Sequence, residues 1–294
     1  MDFKRIQILL LVFFVMFDIY LFYLLSEKSP FNQTSHNATA QVNTLQEIRS
    51  RGIVLSERVH INDEHPELPI IKVDSNDELK EASEQLENQS FSLTPEGVLT
   101  SQFTHPLDLD ISLGEDNKIL SQKDFTWIWE HILSNPKYFI QGAKYLNHWY
   151  SPQDNMISVR MVVDLSTENS DNQVIPISDG TAELRLLLDD DYRLQSYIQS
   201  FQANPRVLEA PKRLISSHEA LEVIQNRIDT TLPNDSTIIS MSLSYYQSVN
   251  TQNFKIYTPA WEIIYFRRES SQTQSILVDA LRGKVVEVKS LTSN

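Results

Sequence analysis

The chain has 294 residues, six of them glycine and none cysteine, with a formal net charge of -14. The lack of cysteine excludes disulfides, a thiolate nucleophile, cysteine-type zinc sites and a lipoprotein anchor, and so few glycines argue against folds built on glycine-rich phosphate loops. A chain this acidic repels nucleic-acid phosphates and anionic lipid surfaces, so no nucleic acid is expected among its partners.

The first element in chain order is Ile6 to Leu25, a run of about 20 almost wholly apolar residues, enough to cross a bilayer as a helix. Lys4 and Arg5 precede it, and only Lys28 is basic between it and Arg49. The positive-inside bias puts a short tail in the cytoplasm and everything after Ser26 outside the cell membrane. The run ends Tyr23-Leu24-Leu25-Ser26-Glu27-Lys28 without an Ala-x-Ala pattern, so an uncleaved single-pass anchor is expected rather than a signal peptide. A cysteine-free outer domain fits a bacterium without a closed oxidising compartment.

Asp18 is the one charged residue in the run. An ionised carboxylate in a membrane helix costs about 2.5–3.5 kcal/mol on insertion scales. Phe14, Leu21, Phe22 and Leu25 share its helix face by the three-and-four spacing. Two readings stand. Asp18 pairs with a polar group of a partner helix, which makes these five residues an interface inside the membrane; or helix tilt lifts it to the outer headgroups.

Ser26 to Thr44 is rich in Ser, Thr, Asn and Gln and reads as a flexible stalk, with folded structure from Leu45. Leu45 to Asn294 carries its own apolar periodicities and is expected to fold alone. Ile70–Val73 reads as a strand and Ser75–Leu86 as a helix opened by a Ser75/Glu78 capping box. Ser90–Leu93 and Val98–Phe103 read as a hairpin around Thr94-Pro95-Glu96-Gly97. Lys123–Leu133 has helical spacing, Asn135-Pro136 ends it, and Tyr138–Tyr150 reads as a second helix.

Met156–Leu165 alternates, with Ile157, Val159, Met161 and Val163 on one side. Val174–Ile177 runs into a Ser178-Asp179-Gly180 turn. Thr181–Leu188 and Tyr192–Phe201 flank Asp189-Asp190-Asp191 as a hairpin. Ser217–Ile228 is helical. Ile238–Tyr246, Ala260–Arg267, Ser275–Ala280 and Lys284–Val288 close the chain as strands, with Trp261 expected in the core. Helices in blocks beside hairpin-connected strands indicate α+β with antiparallel sheets, in two blocks, 45–150 and 151–294, behind the transmembrane helix.

Chemical motifs are few. No G-x-S-x-G, Walker loop, dinucleotide fingerprint or H-E-x-x-H occurs. His60 and His65 bracket Asp63 and Glu64, but the spacing does not suit one helix face and Pro66 follows, so the segment reads as a solvated loop and no metal site or cofactor is expected. A short tail, one membrane helix, a polar stem and Asp189-Asp190-Asp191 also describe a type II glycosyltransferase-like enzyme, whose acidic residues hold a divalent cation. The sequons at Asn32, Asn37, Asn88 and Asn234 suit that compartment. Against it, the triplet falls where a turn is expected, and acids are common in turns.

The opening Met1-Asp2-Phe3-Lys4-Arg5-Ile6, with Phe17-Asp18-Ile19-Tyr20-Leu21 inside the apolar run, resembles the start of the YycI family. Tyr197–Phe201, Ser217-His218-Glu219-Ala220-Leu221, Leu243–Tyr246, Thr258-Pro259-Ala260-Trp261-Glu262-Ile263 and Val278–Gly283 follow that family's order of landmarks. The last two also look like a PepSY-type module. The resemblance covers the N-terminal helix and most of Met156–Val288 and is weak from Leu45 to Tyr150. It implies a PepSY/YycH-like α+β fold and no catalysis. It further implies a membrane-anchored regulator of the WalR/WalK (YycF/YycG) two-component system of Gram-positive bacteria, which controls cell-wall metabolism. The implied partners are a WalK-like sensor histidine kinase and a YycH-like sister protein, contacted in part through membrane helices. An anchored PepSY-type chaperone or inhibitor is the other non-enzymatic reading.

Overall fold

The computed structural model describes residues 13–18, 20, 37–74, 78–111, 120–152, 154–165, 174–200, 202, 204–225, 232–251, 253–267 and 272–290. By its internal contacts the chain divides into Met1–Glu47 and Ile48–Asn294. In the first unit, residues 13–18 and 20 are helical and expose Phe13, Phe14, Val15, Met16, Phe17 and Tyr20. Among the described residues no helix is long and apolar enough to cross a membrane, and most of the Ile6–Leu25 run lies outside them.

Helix α1 (Asn37–Ser50) begins within the stretch expected to be a flexible stalk, before Leu45. The reason is local: from Asn37 to Ser50 there is no glycine or proline, and Ala38, Ala40, Leu45, Gln46 and Glu47 are good helix formers. The helix ends at Gly52, whose φ of 74° suits the left-handed position after a helix. Gly52 N–H donates to the Arg49 carbonyl at 3.0 Å and Ile53 N–H to that of Ile48 at 3.1 Å, the two bonds of a Schellman cap. A Cβ at Gly52 would collide with the Asp235 carboxylate.

The strands of Ile48–Asn294 are β1 (Val54–Leu55), β2 (Glu67–Asp74), β3 (Gln89–Leu93), β4 (Val98–Leu107), β5 (Lys144–Ser151), β6 (Met156–Asp164) and β7 (Val174–Pro176). They continue as β8 (Glu183–Leu188), β9 (Leu194–Ser200), β10 (Arg206–Arg213), β11 (Ser236–Asn250), β12 (Phe254–Arg267), β13 (Gln272–Asp279) and β14 (Lys284–Ser290). The helices are α2 (Glu78–Ser83), α3 (Gln122–Ile128), which runs on as a π-turn over Trp129–Leu133, and α4 (Ser217–Gln225).

Two seven-stranded sheets result. The first runs β1-β11-β12-β13-β14, with β2 joining β12 and β10 joining β2; the second runs β3-β4-β9-β8-β6-β5, with β7 on β6. Within both sheets every strand pairing is antiparallel except β1 on β11. The length of β12 makes the first sheet possible: Phe254–Tyr257 pairs β2 and Ala260–Arg267 pairs β13.

Each sheet buries a face against a helix. Ala220, Leu221 and Ile224 of α4 pack with Ile48, Ile53, Ile238, Ile263, Ile276 and Val278. Phe125 and Ile128 of α3, with Ile132 and Leu133, pack on Ile157, Val159, Leu184, Leu186 and Tyr197. A third core joins the sheets: Met161, Val163, Ile175 and Ile177 meet Leu68, Ile71, Val73, Tyr245 and Tyr257. There Ile177 forms a β-bridge with Tyr245. Strand β6 serves both neighbours, which is why seven consecutive residues of it are buried rather than alternate ones.

The α+β class with antiparallel sheets is as expected, and so are the hairpins at Thr94–Gly97 and Asp189–Asp191. Other expectations are corrected. Tyr138–Tyr150 is not a helix: Gly142 takes a φ of 105° and Lys144–Ser151 is strand β5. A register shift between Leu146 and His148 hides its alternation. The boundary expected near Tyr150 is crossed by pairing, because β5 and β6 form a hairpin over it and β2 pairs with β10 and β12. Trp261 is half-buried, with Nε1 donating to the Ile215 carbonyl at 2.9 Å, rather than a fully enclosed core residue. Strand β10 escapes sequence reading because all eight of its residues are exposed. Its two register shifts, Pro211 and Lys212 are devices that protect a free sheet edge from unwanted pairing.

Candidate functional site

The expected membrane interface is described only in part. Phe14 and Asp18 lie on the exposed helix of residues 13–18, Phe14 being 56% exposed, whereas Leu21, Phe22 and Leu25 lie outside the described residues. Phe13 stacks on Phe17 at 6.4 Å, one turn along that helix.

In the folded part, two polar arrangements stand out. The first lies between the sheets. Arg160 Nη1 on β6 donates to Glu262 Oε2 on β12 at 2.6 Å, and Ser178 Oγ donates to the same oxygen at 2.9 Å. The Arg160 guanidinium also lies over the Trp149 ring at 5.0 Å. The two charged side chains are only 7% and 2% exposed. A pair this dry fixes the geometry between strands from different sheets rather than adding much net stability.

The second arrangement joins residues 62–66 to α4. Ser216 and Glu219 form a reciprocal capping box: Glu219 N–H donates to Ser216 Oγ at 3.1 Å, and Ser216 N–H to Glu219 Oε2 at 2.7 Å. Asn62 N–H donates to Ser217 Oγ at 2.8 Å, and His218 N–H to the Asn62 carbonyl at 3.2 Å. His218 Nδ1 lies 3.0 Å from Asp63 Oδ1, and His65 Nδ1 lies 2.9 Å from the Leu214 carbonyl. Asp63 is therefore tied to α4 and His65 to the chain just before it, and they are not a freely solvated loop.

An Asp–His pair beside a serine invites comparison with a hydrolase triad, but the geometry does not make one. The serine hydroxyl would have to meet Nε2 of the histidine. Ser217 Oγ is engaged with Asn62, and Nε2 of His218 faces Glu222 Oε1 at 3.6 Å. Asp189-Asp190-Asp191 folds as a turn around Arg193. Asp189 accepts from the N–H groups of Arg193 at 2.9 Å and Asp191 at 3.0 Å, and the Arg193 side chain bonds both Asp189 and Asp191. The Arg193 N–H and guanidinium hold the Asp189 carboxyl below the usual range. Among the described residues no group of three or more His, Cys, Asp or Glu could hold a metal ion.

His148 stacks flat on Phe125, ring centroids 4.0 Å apart. Burial lowers its pKa, partly offset by a hydrogen bond with the Leu120 backbone. Because the folded value is depressed, the folded state binds fewer protons here than the unfolded chain. This contribution is intact at neutral pH and is lost as pH falls through the ordinary histidine range toward the folded value. Between about pH 7 and about pH 5 the denaturation midpoint should fall less in His148→Phe than in the parent chain; equal falls would show that His148 does not contribute.

A family model described as YycI protein matches residues 32–281. The chain belongs to the YycI family. That family is regulatory-associated, linked to the WalR/WalK (YycF/YycG) two-component system, and is not a known enzyme family. No curated protein matches the chain. Among solved structures, an uncharacterized protein from Eubacterium rectale is similar over 81% of this chain and 91% of its own, at 11% identity and a TM-score of 0.45. The Bacillus megaterium YpeB C-terminal domain is similar over 86% of this chain and 97% of its own, at 14% identity and a TM-score of 0.36. Both likenesses are distant.

In this YycI-family chain, sequence reasoning missed both polar arrangements for the same reason. Arg160 and Glu262 are 102 positions apart, and Asp63 and His218 are 155 apart. The one local signal was Ser216-x-x-Glu219, a capping-box spacing just ahead of the apolar residues of α4.

Proposed function

We propose that this chain is a non-enzymatic, membrane-anchored regulator of a WalK-like sensor histidine kinase that controls cell-wall metabolism, acting with a YycH-like sister protein. The family match over residues 32–281 is the observation that carries this reading. The apolar run Ile6–Leu25, with bases before it, supports a single-pass anchor in the cell membrane with the C-terminal part outside. Contact with the kinase runs in part through the membrane, where association depends on close packing and polar pairing rather than on hydrophobic drive. Asp18 supplies the polar group, and Phe14, Leu21, Phe22 and Leu25 the surrounding surface.

Quantitative co-purification of the full chain with the kinase tests this, at matched expression. Asp18→Leu should keep membrane insertion and weaken association by about 0.6–2 kcal/mol, the range of a hydrogen bond between membrane helices. Unchanged association in both Asp18→Leu and a Phe14→Ala/Phe22→Ala double variant would rule out the membrane contact and leave the outer domain to carry the interaction.

A further inference from the structure

Among the described residues, six buried side-chain nitrogen or oxygen atoms have no hydrogen-bond partner in the chain. Five of them belong to residues on one face of the strands: Trp149 Nε1, Glu183 Oε1, Ser244 Oγ, Glu262 Oε1 and Ser275 Oγ. Unmatched buried polar atoms are rare, and five on one face call for a shared explanation. We propose that the seam around Arg160 and Glu262 binds individual water molecules, which accept from Trp149 Nε1, donate to Glu262 Oε1 and so complete the joint between β6 and β12.

Strand register puts the five residues together. Cross-strand partners share a face, and so do alternate residues of one strand. Trp149 stands opposite Ser158, two residues before Arg160, and Glu183 stands opposite Arg160 itself. Ser244 stands opposite Ala260 and Ser275 opposite Ile264, two residues before and two after Glu262. The Arg160–Glu262 bond at 2.6 Å joins the two groups. The alternate residues turn the other way: Val159 and Leu184 pack with α3, and Ile263 and Ile276 with α4.

The unmatched donors and acceptors choose the ligand. A cation would meet the Trp149 N–H and the Arg160 guanidinium, which lies over that ring at 5.0 Å. An anion would meet Glu262, whose Oε2 already accepts from Arg160 and Ser178, and Glu183, whose Oε1 lies against Arg185. A neutral group that both donates and accepts suits an indole N–H, a carboxylate oxygen and two hydroxyls together. The ligand must also be small, because Ala260 and Leu277 fill the face around Glu262 and pack with Tyr246. Ser244, Ser275 and Glu262 are each at most 2% exposed, so bulk solvent does not reach them. Water held singly is the common match for buried groups of this kind, at about three hydrogen bonds per molecule. The proposal does not depend on the kinase reading.

The test is magnetic cross-relaxation from water to the indole N–H groups of the four tryptophans, in the deuterated full chain in deuterated detergent micelles. Trp149→Phe assigns the Trp149 signal, and Trp127→Phe, Trp129→Phe and Trp261→Phe assign it independently by elimination. The Trp149 N–H should show a water cross-peak whose sign reverses between the laboratory and rotating frames, the mark of water that tumbles with the protein. Trp261 Nε1 donates to the Ile215 carbonyl at 2.9 Å, so its N–H should show none. No water cross-peak at Trp149, the sign pattern of fast surface water, or a cross-peak no stronger than that of Trp261 would overturn the proposal. So would cross-peaks to carbon-bound protons of a co-purified molecule, because the seam would then hold an organic ligand and not water.

Discussion

Arg160→Met is expected to destabilise Ile48–Asn294 by about 3–5 kcal/mol, the usual loss when one member of a buried ion pair is removed. Methionine fills much of the space but leaves Glu262, 2% exposed, with the Ser178 hydroxyl as its remaining donor to Oε2. Oε1 of the same carboxylate already lacks a hydrogen-bond partner, so nothing nearby compensates for the lost cation. The double variant Arg160→Met/Glu262→Leu removes both charges, and its cost should be well below that of Arg160→Met alone, since replacing a whole buried pair by apolar groups is often close to neutral. Denaturant midpoints of the parent chain, Arg160→Met and the double variant check this. A loss under about 1 kcal/mol for Arg160→Met would place the pair with surface ion pairs and remove its role in joining the sheets.

Phe139→Ala should cost about 3–5 kcal/mol, the range for emptying a buried aromatic site. Phe139 is 2% exposed, with its ring 4.4 Å from Tyr197 and 6.4 Å from Phe103. The site cannot collapse easily, because the neighbouring backbone is held: Tyr197 Oη donates to the Tyr138 carbonyl at 2.7 Å, and Gln199 Nε2 donates to the Ile140 carbonyl at 2.9 Å. For a unit of this size the melting temperature should fall by roughly 6–20 °C. Trp261→Ala is expected to cost less, since that ring is only half-buried. Equal losses at the two positions would contradict the burial described for them.

Strands that alternate or lie beside clear turns were legible in the sequence: β8 and β9 around Asp189–Asp191, and β3 and β4 around Thr94–Gly97. The periodicity of single segments also marked α3 and α4. Strand β5 was not legible, because its bulge at Leu146/His148 breaks the alternation into spacings that suit a helix. Strand β10 was not legible, because a strand exposed on both faces carries no burial pattern. The partners of β2 were out of reach as well, since which strand lies beside which depends on contacts far along the chain. The polar sites follow that division. Ser216 and Glu219 carry a local capping-box spacing that the sequence reading passed over, while the partners of Arg160 and His218 come from other elements. Of the expected membrane face, Phe14 and Asp18 are helical and exposed, and Leu21, Phe22 and Leu25 lie outside the described residues.

The regulatory reading is tested most directly by the rate at which the sensor histidine kinase phosphorylates its response regulator in lipid vesicles. The vesicles should hold the kinase alone, the kinase with the full chain, or the kinase with its Asp18→Leu variant. The full chain should change the rate, and Asp18→Leu should remove part of that change at a chain concentration near half-saturation, shifting the half-saturating concentration about three- to thirtyfold. One and the same rate in all three preparations, with the chain shown to be inserted, would contradict a regulatory role.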